Sequence, residues 1–307
     1  MYDASDPRAA MAAASKAPAA RAKGPPAQAA KAEYGLFYDS APAEDDANGK
    51  TWLARGQNFI VAYSEAFPGA SFVRDDQPDE FMVIVPDRDT PVIAESGAQC
   101  ETSGGYIVIV MPPGASRLSL PEGGRLVRLF SSQAADLAAQ CENAASYDQP
   151  HANIPPFEPW PAPVDGYKVR MYSLDVPPEP GRLGRIWRCT TIMINMPDVQ
   201  HGARDLSKLS PHFHDDFEQC SLALAGTWIH HMRWPWTIDF ADWRDDVHAE
   251  VDSPSITVIP PPVIHTSVGT SDTNQLVDVF APPRIDFSMR PGWVLNAADY
   301  PMPADAA

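Results

Sequence analysis

Short runs of apolar residues alternate along the chain with Pro, Gly and Asp. The runs are rich in Val, Ile and Phe, which is typical of β-strands bounded by turns. Only 132–145 combines good helix formers with a Ser at a possible N-cap. Many strands with few helices predict an all-β fold, either a sandwich or a barrel. The predicted strands cover 58–64, 80–85, 105–114 and 124–132 in the first half, and 167–174, 188–196, 218–234, 255–260 and 275–283 in the second.

Two segments interrupt this pattern and divide the chain. Residues 1–33 consist mainly of Ala, Pro and Lys and offer few large apolar side chains to a core, so we expect a disordered leader. Residues 147–166 contain six prolines, which predicts an extended linker. The sequence therefore predicts two domains, 34–146 and 167–307.

The two halves can be aligned with each other. The segment "YIVIVMPPGASR" (106–117) matches "SITVIPPPVIH" (255–265) at its prolines, and "RLVRLF" (125–130) parallels "QLVDVF" (275–280). Order and spacing agree although few residues are identical, which indicates an internal duplication. The alignment pairs Glu80 with Glu218, Arg74 with His212, Asp76 with His214 and Arg117 with His265.

Histidines of the second half are spaced to bind a metal ion. His212 and His214 are two residues apart, so on a strand both imidazoles point to one side. Glu218 follows at an even spacing, and His265 follows a proline turn. Three imidazoles and a carboxylate suit Fe(II), Mn(II), Ni(II) or Co(II) and leave open positions, as a catalytic metal requires. All eight histidines lie at position 151 or later, so the first half is predicted to hold no such site.

These residues give the second half a resemblance to the cupin family. The first cupin motif is HxH followed by Glu and then Gly, and "HFHDDFEQCSLALAG" (212–226) matches it. The second motif ends in a ligand histidine after a proline turn, and "PPPVIH" (260–265) matches it. There are three departures, the first of which is that the glycine expected ahead of the HxH motif is not at its usual distance. Seven residues separate Glu218 from Gly226 where six are usual, and Pro262 replaces a glycine.

The resemblance implies a bicupin, which is two tandem cupin barrels of the double-stranded β-helix or jelly-roll type. It further implies one divalent metal ion per chain, in the second barrel, with Fe(II) favoured and Mn, Ni or Zn as alternatives. The ligands it implies are His212, His214, Glu218 and His265.

The stretch "GTWIHHMRWPW" (226–236) supplies further candidates beside the metal. On a strand His230 lies on one face, together with Trp228, and His231 and Arg233 lie on the other. The functional interpretation makes His230 an acid or base near the metal and Arg233 a clamp for a substrate carboxylate, with His231 as a third catalytic candidate. The structural alternative packs the Trp side chains in a core and leaves the His and Arg side chains exposed.

The function implied by the resemblance is metal-dependent catalysis on a small molecule. A non-haem Fe(II) dioxygenase that acts on a small aromatic or oxygen-chelating substrate ranks first, because Trp228, Trp234 and Trp236 lie near the motif. The alternative is a metal-dependent isomerase or lyase that acts on a sugar acid or carboxylate. A non-catalytic, ligand-binding bicupin is the third hypothesis.

Charge and cysteine content narrow the partners. The net charge of −17 argues against nucleic acid or an anionic membrane, because both favour clustered Lys and Arg. No apolar run reaches the roughly 18 residues of a membrane-spanning helix. The four cysteines lack CxxC spacing, which favours free thiols in a reducing compartment. We expect a cytoplasmic protein with a small-molecule substrate, and the resemblance to cupins makes a homodimer plausible.

Overall fold

The part of the chain that the computed structural model describes, residues 29–215 and 217–304, consists mainly of β-strands. The predicted all-β class is therefore confirmed. Up to residue 131 the strands are β1 (Glu33–Gly35), β2 (Glu44–Asp46), β3 (Gly49–Arg55), β4 (Phe59–Ala66), β5 (Ala70–Gln77), β6 (Phe81–Val85), β7 (Val92–Ser96), β8 (Gln99–Ser103), β9 (Ile107–Met111), β10 (Gly114–Leu120) and β11 (Gly124–Ser131). After it come β12 (Arg170–Ser173), β13 (Ile186–Arg188), β14 (Met193–Asn195), β15 (Gln200–His201), β16 (Glu218–Ala225), β17 (Trp228–Arg233), β18 (Val247–Val251), β19 (Ser255–Ile259), β20 (Ile264–Gly269) and β21 (Thr273–Ala281).

Helices in the described residues are short. The predicted helix at 132–145 shrinks to one α-helical turn, Ala135–Ala138, and no side chain caps its start. So short a helix gains little from its own hydrogen bonds. A second α-helical turn spans Ile285–Ser288, and 3₁₀ turns span Ala144–Tyr147, Leu206–Lys208 and Phe240–Asp242. None of the helices within 29–215 and 217–304 is long and apolar enough to cross a membrane.

The strands form two barrels, each made from a larger and a smaller sheet. The first has the orders β12-β9-β6-β11-β4-β3-β2 and β5-β10-β7-β8, and the second has β1-β19-β16-β21-β14-β13 and β18-β17-β20, with β15 also paired to β21. Adding ten to the number of a first-barrel strand from β3 to β11 gives its counterpart in the second barrel, except that β5 pairs with β10 whereas β15 pairs with β21. This repeated order is what the predicted duplication requires.

The two halves exchange one strand each. β1 pairs with β19 of the second barrel, with Tyr34 opposite Thr257. In return β12 pairs with β9 of the first barrel, with Met171 opposite Ile109. Residues 29–33 are therefore not part of a disordered leader: Ala29 is buried beside Trp234, and β1 begins at Glu33. The rest of the predicted leader, residues 1–28, lies outside the described residues.

Apolar side chains fill the space between the two larger sheets. One cluster there combines first-half side chains such as Tyr63 and Val108 with second-half side chains such as Trp187, Cys220 and Val258, all at most 2% exposed. A second cluster fills the inside of the first barrel and includes the stacked rings of Phe81 and Phe130. Burial of this much apolar surface is the main source of stability and joins the barrels firmly.

Candidate metal centre

Three histidines of the second barrel converge as the sequence predicts. The possible ligand atoms of His212, His214 and His265 all lie within 4.8 Å of one another. His265 stands near the start of β20, and His212 precedes β16. The two backbones are joined by mutual hydrogen bonds, His212 N to His265 O at 3.1 Å and His265 N to His212 O at 2.8 Å. This bridge holds their imidazoles side by side, with ring centroids 4.4 Å apart.

Backbone carbonyls fix the tautomers of two of these histidines. The Nδ1 of His212 donates to the carbonyl of Ser210 at 2.8 Å, and the Nδ1 of His265 donates to that of Val263 at 2.9 Å. Because a carbonyl can only accept, the proton lies on Nδ1 and each Nε2 keeps a lone pair. Metal-bound histidines are usually oriented by a hydrogen bond of this kind.

The structure does not bring Glu218 to the histidines, which corrects the predicted placement. Glu218 is 1% exposed and faces the first half, where its Oε2 accepts from the backbone N–H of Gln57 at 2.6 Å and its Oε1 accepts from the hydroxyl of Tyr147 at 3.2 Å. Burial raises the pKa of this carboxyl to about 7. The even spacing between His214 and Glu218 would place both on one face only if the residues between them formed a strand. The strand β16 begins at Glu218, and the residues before it are not strand.

Gln219 occupies the place predicted for the glutamate. Its Oε1 lies 3.0 Å from the Nε2 of His214 and 3.3 Å from that of His265. Its Nε2 donates to Asp278 Oδ1 at 3.1 Å, and since a carboxylate only accepts, Asp278 turns the amide oxygen towards the histidines. The sequence held a signal: six residues separate Gln219 from Gly226, the usual spacing that Glu218 fails to give.

These four side chains suit a divalent metal ion. The Nε2 of His265 and the Oε1 of Gln219 are both acceptors, and a cation between them would satisfy both. Two ligands at right angles and ~2.1 Å from a metal lie ~3 Å apart, close to the separations seen here. Imidazole suits iron, nickel and zinc, and a carbonyl oxygen such as that of the Gln219 amide suits manganese. Each of the four is uncharged, unlike the carboxylate-containing set that the sequence predicts.

A partly open cavity of about 270 Å³ adjoins the centre inside the second barrel. His212, His265 and Gln219 form part of its wall. Its apolar wall includes Leu183, Trp228, Leu276, Phe280 and Phe287, and its other polar wall includes Asn195, Asp198, Arg204, Ser267, Asn274, Asp278 and Arg284. A small molecule in this cavity would therefore touch apolar rings, polar groups and the metal ligands together.

Comparison with known proteins identifies the fold. No protein-family model matches the chain, and no curated protein matches its sequence. AerE from Microcystis aeruginosa matches with a TM-score of 0.53 at 10% identity, over 79% of this chain and 96% of that one. YlbA from E. coli (family model DUF861) matches with 0.51 at 9%, over 86% and 96%. The Momordica charantia 7S globulin matches with 0.51 at 14%, over 82% and 84%. All three have the cupin fold.

The chain has the bicupin fold. The resemblance inferred from the sequence is confirmed at the level of the fold, although such low identities establish no shared activity.

The first barrel of this bicupin has no counterpart of the histidine cluster among its described residues. Arg74, aligned with His212, forms an ion pair with Asp136 at 2.6 Å. Arg74 lies opposite Ser116 in the ladder, as His212 lies opposite His265, so Ser116 and not Arg117 is the counterpart of His265. Phe81 follows Glu80 as Gln219 follows Glu218, and it stacks on Phe130 with ring centroids 4.7 Å apart.

The structure separates the three predicted catalytic residues. His230 lies inside the second barrel, 1% exposed, with its Nδ1 2.8 Å from the hydroxyl of Ser267, and burial lowers its pKa to about 3. His231 lies on the outer face, its Nδ1 2.7 Å from that of His248. Arg233 is also outside and forms an exposed ion pair with Asp246. His231 and Arg233 do not line this cavity, but they line a second, more open pocket of about 520 Å³ that shares His212 and His265 with it.

The aromatic residues of the same stretch are also separated. Trp228 lines the cavity. Trp234 donates from Nε1 to the carbonyl of Ala30 at 2.9 Å and packs with Ala29, just before β1. Trp236 is 72% exposed and stacks on Trp243 at 4.2 Å. Only one of the three can therefore contact a molecule in the cavity.

Proposed function

We propose that this bicupin is a metal-dependent enzyme that binds one divalent ion in its second barrel. The ligands we propose are His212, His214, His265 and Gln219. The observation that carries this proposal is the convergence of four possible ligands, three of which line a cavity. Structural metal sites are closed by their ligands, whereas a site that opens into a cavity can also hold a substrate.

The chain's own residues do most of the positioning. The carbonyls of Ser210 and Val263 hold two imidazoles in the ligand tautomer, and Asp278 orients the amide of Gln219. Phe280 and Phe287 shield the cavity with apolar rings, which strengthens electrostatic contacts inside it. A bound metal would supply Lewis-acid polarisation of a substrate oxygen and, if it is iron, redox chemistry.

Among activities open to such a centre, we favour an Fe(II) dioxygenase that acts on a small oxygen-chelating substrate. Imidazole-rich sites suit iron, and the cavity leaves room for a substrate beside the ligands. An isomerase or lyase needs a base whose pKa lies near neutrality. His230 is the predicted base inside the barrel, and its pKa of about 3 makes it too weak for that task. The low pKa of His230 supports assaying the dioxygenase activity first.

Elemental analysis tests the centre. The protein would be purified anaerobically without a histidine tag and then reconstituted with Fe(II), Mn(II), Ni(II) or Zn(II). We expect about one metal ion per chain, no retention in His265→Ala, and affinity at least about tenfold weaker in Gln219→Ala. Glu218→Gln is the matched control and should keep the metal.

Two results would overturn the proposed centre. One is wild-type protein that takes up no metal after reconstitution. The other is loss of metal in Glu218→Gln with retention in Gln219→Ala, which would return the ligand role to the carboxylate. If iron is found, oxygen consumption with diketones and phenols tests the dioxygenase, and isomerase and lyase assays with manganese, nickel or zinc test its alternative.

A further inference from the structure

The charges around the cavity are unbalanced once a metal is bound. Two arginines, Arg204 and Arg284, and two aspartates, Asp198 and Asp278, line it, so their formal charges cancel. The four proposed ligands are neutral, so a divalent ion adds two positive charges that the described lining does not offset. A buried charge without a counter-charge is costly. An anionic substrate would remove that cost, and this step rests on the proposed metal centre.

Arg284 is placed to bind such an anion. Its Nε and Nη2 donate to the two carboxylate oxygens of Asp286, at 2.9 and 2.5 Å, and no hydrogen bond from its Nη1 is found among the described residues. The residue is 8% exposed and lines the cavity. Its guanidinium carbon lies 3.5 Å from the ring centroid of Phe287 and 4.8 Å from that of Phe217. Stacking fixes the guanidinium, so little entropy is lost when Nη1 binds a carboxylate.

Arg284 also lies close to the histidine cluster. The ring of Phe217 packs on Arg284 on one side and on His214 on the other, where the ring centroids are 4.3 Å apart. A small molecule bound to Nη1 is therefore near the proposed ligands. Arg233, the clamp that the sequence predicts, lies outside this cavity, whereas Arg284 lines it.

The side chain of Asn195 indicates a second polar group on the bound molecule. Its Nδ2 donates to Asp278 Oδ2 at 3.2 Å, which fixes the orientation of the amide, since a carboxylate only accepts. Its Oδ1 is buried and has no hydrogen-bond partner among the described residues. Asn195 lines the cavity and its Oδ1 packs against Gly184, so a small shift of the side chain would let a hydroxyl group on the substrate donate to this oxygen. An unsatisfied buried acceptor is costly, which makes such a donor favourable.

We propose that the site binds a small hydroxycarboxylate, with its carboxylate on Arg284 Nη1 and a hydroxyl group on Asn195 Oδ1. The cavity of about 270 Å³ lies just below the roughly 300 Å³ at which pockets for drug-sized ligands begin, so the molecule is small. The rings of Phe280 and Phe287 favour an apolar group on its remaining side.

Calorimetric titration with chosen probes tests this assignment. The probes are glycolate, lactate and mandelate, which carry the same hydroxycarboxylate with growing apolar groups. Mandelamide lacks the charge of mandelate, and phenylacetate lacks its hydroxyl group. With zinc-loaded protein we expect mandelamide to bind about 10- to 100-fold more weakly than mandelate, and phenylacetate about fivefold more weakly.

Variants locate the binding group. Arg284→Gln should weaken mandelate binding about 10- to 100-fold, whereas Arg88→Gln, a control that removes an exposed ion pair with Asp175 outside both pockets, should leave it unchanged. Asp286→Asn keeps Arg284 and removes its counter-charge, so mandelate should bind as tightly or more tightly. If Arg284→Gln does not fold, Asp286→Asn and the mandelate-to-mandelamide ratio in wild-type protein decide.

Three results would overturn the hydroxycarboxylate. They are equal binding of mandelate and mandelamide, unchanged mandelate binding in folded Arg284→Gln, and no binding of any of the three hydroxycarboxylates. Titration of chelator-treated protein separates this inference from the proposed function. Protein that never takes up metal but binds mandelate through Arg284 would refute the metal centre alone. Protein with one metal per chain and no preference for mandelate would refute the hydroxycarboxylate alone.

Discussion

The two barrels share one strand order and differ in what fills them. The first barrel is packed with apolar side chains, and Phe81 and Phe130 stack at its centre. At the corresponding place the second barrel has Gln219, the histidine cluster and a cavity. A duplicated fold can thus keep its sheets while one copy is filled with apolar side chains and the other holds a candidate metal site. The difference lies in a few inward-facing side chains on strands that otherwise correspond.

The aligned glutamates, by contrast, do the same work in both halves. Glu80 accepts hydrogen bonds at Oε2 from the backbone N–H and the hydroxyl of Thr190, at 3.2 and 2.9 Å. Glu218 accepts at Oε2 from the backbone N–H of Gln57. Thr190 lies in the hairpin between β13 and β14, and Gln57 lies in the equivalent hairpin between β3 and β4. Each glutamate therefore joins its own barrel to the other one.

The largest expected effect comes from the packed centre of the first barrel. Phe81→Ala removes a fully buried ring and leaves a cavity, so the free energy of unfolding should fall by about 3 to 5 kcal/mol. Metal content per folded chain should not change. Urea denaturation and elemental analysis measure the two quantities. Loss of metal in folded Phe81→Ala would show that metal binding in the second barrel depends on the packing of the first.

The next largest expected effect is on the metal affinity of the second barrel. Asp278→Asn allows the Gln219 amide to turn, because Asn can donate as well as accept. We expect metal affinity to fall about 10- to 100-fold, as when other groups that orient metal ligands are removed. Competition against a chelating dye measures it, with Asp286→Asn as the control. Unchanged affinity in Asp278→Asn would mean that Asp278 does not hold the amide.

Much of this could be predicted from the sequence, for local reasons. The strand runs follow from their apolar patterns, and His212, His214 and His265 follow from their spacing. Glu218 was misplaced because strand alternation does not extend through the irregular residues before β16. The part played by Asp278 depends on the pairing of β16 with β21, which only the fold reveals. The strand exchange was missed because the residues before β1 are mostly small and resemble a leader.

A smaller, pH-dependent effect tests the contact made by Glu80. Burial raises the pKa of this carboxyl despite hydrogen bonds from Thr190 and Tyr300. A group whose folded pKa exceeds its unfolded value, 4.5 here, stabilises the fold fully below that value, and the contribution is lost as the pH rises through the folded pKa. Glu80→Gln cannot ionise, so its free energy of unfolding should rise relative to that of wild type as the pH increases from 4.5 through the folded pKa of Glu80. Urea denaturation of the metal-free proteins measures it, and parallel pH profiles would contradict this account.

The smallest expected effect compares the two tyrosines that bind these glutamates. The hydroxyl of Tyr300 donates to Glu80 Oε1 at 3.0 Å, and that of Tyr147 donates to Glu218 Oε1 at 3.2 Å. Tyr300→Phe and Tyr147→Phe should each lower the free energy of unfolding by about 1 kcal/mol, the usual net value of one hydrogen bond. Tyr38→Phe, at an exposed ring, is the control and should change little. Both variants should keep the metal, because the two tyrosine–glutamate hydrogen bonds lie between the barrels and not at the proposed metal ligands. If Tyr147→Phe alone lost metal, Glu218 would belong to the metal centre and the equivalence of the two glutamates would fail.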